Sequence, residues 1–447
     1  MTLKNGNLYK KIFIITLPIV IQNLMDSAVN MADVVMLDYV GQNAMSAVSL
    51  ANYVTSVFFM FLFGLGTGVT LLGAQYWGKG DLSSVEKAEG IALRYTSIVS
   101  LTGTALCLAC PEILMRIFTN DTVLIELGST YLKIGSAAII MWGISAVYLS
   151  TLRSIGRVTV CTVMEAVALA SNVILNALFI FVFGMGVEGV AVATVLSRVI
   201  ELLGCIIISA GSRDVKIRIR PIFEKHRLLE KDFISICIPA ICNDMVWGLA
   251  FSMYTVILGH LSSDAVAANA IVNVVRNFGC VLCYGLGSAT CIILGQILGA
   301  GEREKALKTA RIMLKLSVAA GALGGIMIAF TRTPIVRYSN LTDAAREYLS
   351  FMLLVNVFYI MGTAVNQTII TGVFRAGGDT KFGFLCDAID MWCWGVPIGL
   401  LAAFVFKLDV KWVYILMCTD EFVKWPWVFK HFYDGKWARN ITRDNTD

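Results

Sequence analysis

Long apolar runs separated by short polar segments govern this 447-residue chain. A helix that crosses about 30 Å of hydrocarbon needs about 20 mostly apolar residues. Runs of that kind fall at 13–40, 46–74, 91–111, 131–152, 159–184, 187–210, 233–259, 265–298, 308–331, 348–373, 381–406 and 410–430. They predict an all-α polytopic membrane protein with twelve transmembrane helices. The second and eighth runs are long enough for tilt or kinks. The first run extends far beyond a signal-peptide core, and no small-residue cleavage site follows promptly, so it reads as a retained span.

The pattern also repeats. At an offset of 221, Pro18 meets Pro239, Ala44 meets Ala265, Ala47 meets Ala268 and Asn52 meets Asn273. Gly64-Leu65-Gly66 meets Gly285-Leu286-Gly287, followed by Gln75 with Gln296, Gly78 with Gly299, Gly80 with Gly301 and Asp81 with Glu302. At 222, Arg153 meets Arg375, Gly156 meets Gly378 and Glu165 meets Asp387. The expected organisation is two pseudo-symmetric six-helix bundles: a lobe at 1–212, a basic cytoplasmic linker at 213–232, and a lobe with a short tail at 233–447. Six spans is an even number, so both halves start on the same side and form parallel repeats.

Composition agrees with the pattern. Charged residues make 15% of the chain, where a soluble domain carries about 25%. Hydrophobic residues make 57%, and mean hydropathy is +0.75. A disordered or collagen-like chain is excluded, and a net charge of +5 leaves no nucleic-acid footprint. With the N-terminus inside, 24 of the 36 Lys and Arg fall in inside segments and seven outside. That bias predicts a multi-pass protein of the plasma (inner) membrane with both termini cytoplasmic. The twelve cysteines are scattered; Cys107/Cys110 and Cys280/Cys283 have no second pair or histidine at zinc spacing and read as packing residues.

A charge at mid-bilayer costs about 2.5–3.5 kcal/mol on insertion scales, so the polar residues left inside the spans carry the chemistry. Span one has Asn23, Asp26, Asn30 and Asp33 on one helical face, either a buried hydrogen-bond network or a water-lined stripe for a cation or proton. Span five has Glu165, Asn172 and Asn176, and span six has Thr194, Arg198 and Glu201, the last two spaced to pair. Asp33, Asn172, Asn176 and Thr194 together offer the oxygen ligands of a hard cation such as Na⁺. The second half has Asn243 and Asp244 in span seven, and Asn269, Asn273, Arg276 and Asn277 in span eight. Asp387 and Asp390 in span eleven read as a proton site or a solvated end. Asp420, Glu421 and Lys424 follow in span twelve, with Asp420 and Lys424 spaced for an internal ion pair. Asp26, Asn30, Glu165, Asp244, Asn273, Arg276, Asp387 and Asp390 are thus further proton or substrate candidates.

Several of these residues sit in a recognisable order. Leu17-Pro18-Ile19-Val20-Ile21-Gln22-Asn23 precedes Ala32-Asp33 and Gly41. Gly64-Leu65-Gly66-Thr67-Gly68 and Gln75-Tyr76-Trp77-Gly78 come next. Arg153-Ser154-Ile155-Gly156, the Asn172/Asn176 face, Gly189-Val190-Ala191-Val192-Ala193-Thr194 and Arg375-Ala376-Gly377-Gly378-Asp379-Thr380 follow. The chain resembles the multidrug and toxic compound extrusion (MATE) family of secondary transporters over about 10–430. The resemblance implies a V-shaped pair of six-helix lobes that exports organic, often cationic, compounds against an inward flow of H⁺ or Na⁺. It also implies a cation-coupling site at Asp33, Asn172, Asn176 and Thr194. Asn176 is an amide where many members have a carboxylate, so Na⁺ affinity is expected to drop unless Asp26 or Glu165 supplies the missing charge.

The leading expectation is an antiporter working by alternating access between the lobes. The alternative is a flippase or exporter of a lipid-linked or polar metabolite on the same scaffold. An enzyme is not expected: His226, His260 and His431 form no His-Glu-x-x-His set. No Gly-x-x-x-x-Gly-Lys-Ser/Thr occurs, so energy comes from an ion gradient or a partner. No cofactor is expected beyond the coupling ion. The expected partners are a small organic substrate and the lipid bilayer, without nucleic acid, for a chain acting as a monomer.

Overall fold

A computed structural model describes residues 5–212, 214–218, 220–339 and 341–444, and these are helical with short connections and no strands. Among the described residues, eleven helices are long and apolar enough to cross a membrane. They begin with Asn5–Val40, Gln42–Lys79, Leu82–Ala109 and Thr122–Ser154. Val158–Ala177 continues through a wide π turn, Leu178–Val182, and Val187–Gly211 follows. The second set is Arg227–Leu261, Ser263–Gly299, Arg303–Tyr338, Asp343–Asn366 with the π turn Gln367–Phe374, and the stretch 380–405. The run expected at 410–430 folds as three short helices end to end, Val410–Met417, Asp420–Val423 and Trp425–Asp434. Pro426 opens the last of them, where its missing amide removes no helical bond.

Compact packing divides the chain into a unit of Ile21–Cys237 with Thr442–Asp447 and a unit of Met1–Val20 with Ile238–Ile441. The divisions fall inside two helices, close to the matched prolines Pro18 and Pro239. In the first of these units the second helix packs most extensively on the fourth, and the fourth also on the third and sixth. In the other unit the eighth, ninth and tenth helices pack against one another.

Repeated glycines explain why both units build the same local frame. Gly80 and Gly301 sit at φ +84° and +78°, and Gly156 and Gly378 at +87° and +75°. A left-handed residue with no Cβ ends a helix without strain. Within the spans, a Cβ on Gly66 would stand 2.8 Å from Ser150 Oγ. On the matched Gly287 it would stand 3.1 Å from the Gln367 carbonyl oxygen and 3.3 Å from Thr371 Oγ1. Ser150 and Thr371 are themselves 221 apart, so the same helix pair is drawn together in each unit.

Candidate functional site

The unit of Ile21–Cys237 gathers its polar residues around one carboxylate. Asn172 and Asn176 lie one turn apart on the fifth helix, and both are buried. Asn176 Nδ2 donates to Asp33 Oδ1 at 2.9 Å and to Asn172 Oδ1 at 3.2 Å. Asn176 Oδ1 is buried without a hydrogen-bond partner. Thr194 Oγ1 bonds back to the Val190 carbonyl of its own helix at 3.0 Å. Tyr131 hydroxyl donates to Asn52 Oδ1 at 3.3 Å. Asp33, Asn172 and Asn176 are therefore brought together, whereas among the described residues no hydrogen bond joins Thr194 to them. Among the described residues no cation lies within ion-pair distance of Asp33.

Two arginines in this unit's spans are each paired with one carboxylate. Arg153 Nη2 meets Glu165 Oε1 at 2.5 Å, and Arg198 Nη1 meets Glu201 Oε2 at 2.6 Å, the local pair that the spacing predicts. Glu165 is thus held by Arg153 rather than by the Asp33 cluster. Asp26 is exposed on the first helix, within electrostatic reach of Glu165 and Arg198 but without an ion pair. Asn30 falls in the first helix, and its side chain lies outside the described residues.

The unit of Ile238–Ile441 holds a denser set. Lys424 Nζ lies 2.9 Å from Asp387 Oδ1, 3.2 Å from Glu421 Oε2 and 3.5 Å from Asp390 Oδ2, all of them buried. The expected Asp420–Lys424 pair does not form. The helix breaks at Cys418–Thr419 and ends at Val423, so the i,i+4 geometry of a continuous helix is absent. Asp420 instead accepts from Tyr254 hydroxyl at 3.0 Å and from the Glu421 amide at 2.8 Å. Glu421 takes further bonds from Thr363 and Asn366. Asp387 is a buried network member, not a solvated helix end, and Asn243 Nδ2 donates to its other oxygen at 2.8 Å. Asp244 pairs with Arg375 at 2.8 Å, and Arg375 also donates to Asn243. Asn273 and Arg276 line a recess that shares Tyr254 with this network.

The MatE family model matches this chain over residues 18–178 and again over 239–401, once in each half. The chain belongs to the MatE family. It is a multi-pass membrane protein of a transporter family. A probable multidrug resistance protein NorM of Thermotoga maritima is 25% identical over 451 residues, covering 97% of this chain and 95% of that protein. A MATE crystal structure in the bent conformation is similar with a TM-score of 0.87 at 19% identity, covering 98% of this chain and 99% of that one. An outward-facing multidrug resistance MATE transporter is similar at 0.82 and 20% identity, covering 98% and 99%. At these identities the structures establish the two-lobe MatE fold.

Partners that the sequence reading missed are Tyr254, Asn366 and the pairing of Arg375 with Asp244. None has a spacing signal, because each meets its partner from a different helix. Among the described residues of this MatE chain, no three His, Cys, Asp or Glu side chains form a metal cluster.

Proposed function

We propose that this MatE protein is a secondary antiporter that exports small organic compounds, driven by protons that enter at Asp33. The observation that carries the reading is the buried amide pair on Asp33: one carboxylate, no cation within ion-pair distance among the described residues, and Asn176 turning its N–H toward it. A Na⁺ ion needs several oxygen ligands, and here an amide donor stands between two acceptors. A proton needs only the carboxylate, and its arrival would discharge Asp33 and weaken the Asn176 bond. Relatives solved in bent and outward-facing conformations support a cycle with more than one state. Coupling then requires that proton and substrate each favour a different state. In this reading the halves 1–212 and 233–447 are the working lobes, the protein is a monomer of the plasma membrane, and both termini are cytoplasmic.

Efflux from vesicles under an imposed pH or Na⁺ gradient tests this. The expected result is pH-driven efflux that Asp33→Asn reduces by about tenfold or more, while the unfolding midpoint stays near wild type. Full pH-driven efflux in Asp33→Asn would remove Asp33 from the coupling role. Efflux that follows Na⁺ alone would overturn the choice of ion.

A further inference from the structure

The segment between the sixth and seventh long helices, residues 212–226, is seated against the third helix within one compact unit. A short helical turn in it, Arg220–Phe223, packs there. A Cβ on Gly90 would stand 2.5 Å from Pro221 Cβ and 2.7 Å from the Pro221 carbonyl carbon, so the two backbones meet at that glycine. Arg94 holds the same segment one turn further on. Its Nη1 donates to the Glu224 carbonyl at 3.4 Å, and its Nη2 pairs with Glu230 at 2.7 Å. Tyr95 hydroxyl donates to the other Glu230 oxygen at 2.5 Å.

These contacts set the height of the segment in the bilayer. Nineteen residues separate Gly90 from the end of the third helix at Ala109, about 29 Å at 1.5 Å per residue. That is about the thickness of the hydrocarbon core. The apolar run of this helix also starts next to the glycine, at Ile91. The segment therefore lies where hydrocarbon gives way to headgroups.

Its charges are sorted as well. All three acids of residues 213–231 are already neutralised: Asp214 by Arg157 at 2.6 Å, Glu224 by Arg220 at 2.7 Å, and Glu230 by Arg94. Lys216, Lys225, Arg227 and Lys231 are exposed and, among the described residues, have no carboxylate within 4 Å. Phe223 stands among them 78% exposed, and Leu228 is exposed too. An apolar ring at this height can enter the acyl region, while the cations beside it stay at the level of lipid phosphates.

We propose that this segment is a binding surface for anionic phospholipid headgroups, with Lys216, Lys225, Arg227 and Lys231 gathering the phosphates and Phe223 inserted among the acyl chains. A zwitterionic headgroup brings its own ammonium with its phosphate, so the four free cations select lipids of net negative charge. Each Lys or Arg at a membrane surface supplies roughly a fivefold preference, reduced by salt. The proposal requires only that the chain is a membrane protein; the antiporter reading and the coupling ion do not enter it.

The test is photo-crosslinking of the purified full-length protein in phosphatidylcholine nanodiscs. Trace phosphatidylglycerol or trace phosphatidylcholine carries a diazirine on the acyl chain next to the glycerol, and the labelled peptides are mapped by mass spectrometry. In wild type, phosphatidylglycerol should label residues 214–231 roughly tenfold or more above phosphatidylcholine at low salt, and the ratio should fall as salt is raised. Residues 303–311, another basic segment, should show a ratio several times smaller. Replacing Lys216, Lys225, Arg227 and Lys231 by Gln together should bring the ratio at 214–231 close to one. Lys308→Gln with Arg311→Gln, which also removes exposed positive charge, should leave it within about twofold. Phe223→Ser should lower labelling by both lipids and keep their ratio. Equal ratios at 214–231 and 303–311 in wild type overturn the proposal, and that comparison decides even where a variant fails to fold. A ratio that survives in the folded fourfold variant, or falls equally in the control, overturns it too. Glycerol 3-phosphate that suppresses the labelling as well as unlabelled phosphatidylglycerol does would assign the segment to a free phosphate and end the lipid reading.

Discussion

The two halves of the chain share a frame and differ in their chemistry. Arg153 and Glu165 in the first half correspond, at an offset of 222, to Arg375 and Asp387 in the second. The first pair is bonded directly at 2.5 Å. In the second half the same two positions are pulled apart: Arg375 turns to Asp244, Lys424 takes Asp387, and Asn243 bridges them. The first half pairs Arg153 and Arg198 with one carboxylate each, and holds another carboxylate, Asp33, by an amide. The second collects Asp387, Asp390 and Glu421 about a single ammonium, with Asp420 beside them on Tyr254 and the Glu421 amide. Duplicated glycines let the matched helices approach closely in both, so the frame tolerates two very different polar interiors. A repeat therefore transfers packing from one half to the other, but not charge networks.

The sharpest way to break the comparison is to remove the cation on which the second network depends. Lys424→Met keeps the length of the side chain and leaves Asp387, Asp390 and Glu421 without a counter-charge. Removing one partner of a buried ion pair costs about 3–5 kcal/mol. Thermal unfolding of the purified protein should show a correspondingly lower midpoint, and Asp387→Asn added to Lys424→Met should recover part of it. A Lys424→Met protein as stable as wild type would mean that the acidic set is held together by something other than this lysine.

A smaller effect tests the shared frame. Gly287→Ala pushes a methyl group toward the Gln367 carbonyl, a backbone atom that moves only with its helix. Gly66→Ala meets Ser150 Oγ, the tip of a short side chain that can rotate away. Overpacking costs about 1–3 kcal/mol. The second-half variant should fall in that range and the first-half variant below it, measured as unfolding midpoints. Equal losses would say that the two close approaches are equally rigid.

What could be read from sequence follows the same division. Periodic and local features were legible: the apolar runs, the matched glycines, and the Arg198–Glu201 pair on one helix. The coming together of Asp33 with Asn172 and Asn176 joins two helices, and spacing alone could offer only the two faces; the family resemblance joined them. Lys424 was misassigned to Asp420 because the i,i+4 rule presumes an unbroken helix, and the break at Cys418–Thr419 cannot be seen in a hydropathy run. Arg276 was placed correctly on a polar face with Asn269 and Asn273.

The rewired pairs themselves give the finest discrimination. Glu165→Gln should destabilise the protein by about 1–2 kcal/mol, because the half-buried pair loses its charge-assisted bond. Arg153 already has one buried nitrogen, Nε, without a partner. Asp244→Asn should cost less, within about 1 kcal/mol. Asp244 is 29% exposed, and Arg375 retains Asn243 Oδ1 at 3.1 Å when the charge is removed. An amide oxygen at position 244 can still accept from the guanidinium. Paired unfolding measurements on the two variants decide the matter. If Asp244→Asn were the costlier of the two, Arg375 would depend on Asp244 alone, and the Asn243 bridge would add nothing to holding the second half together.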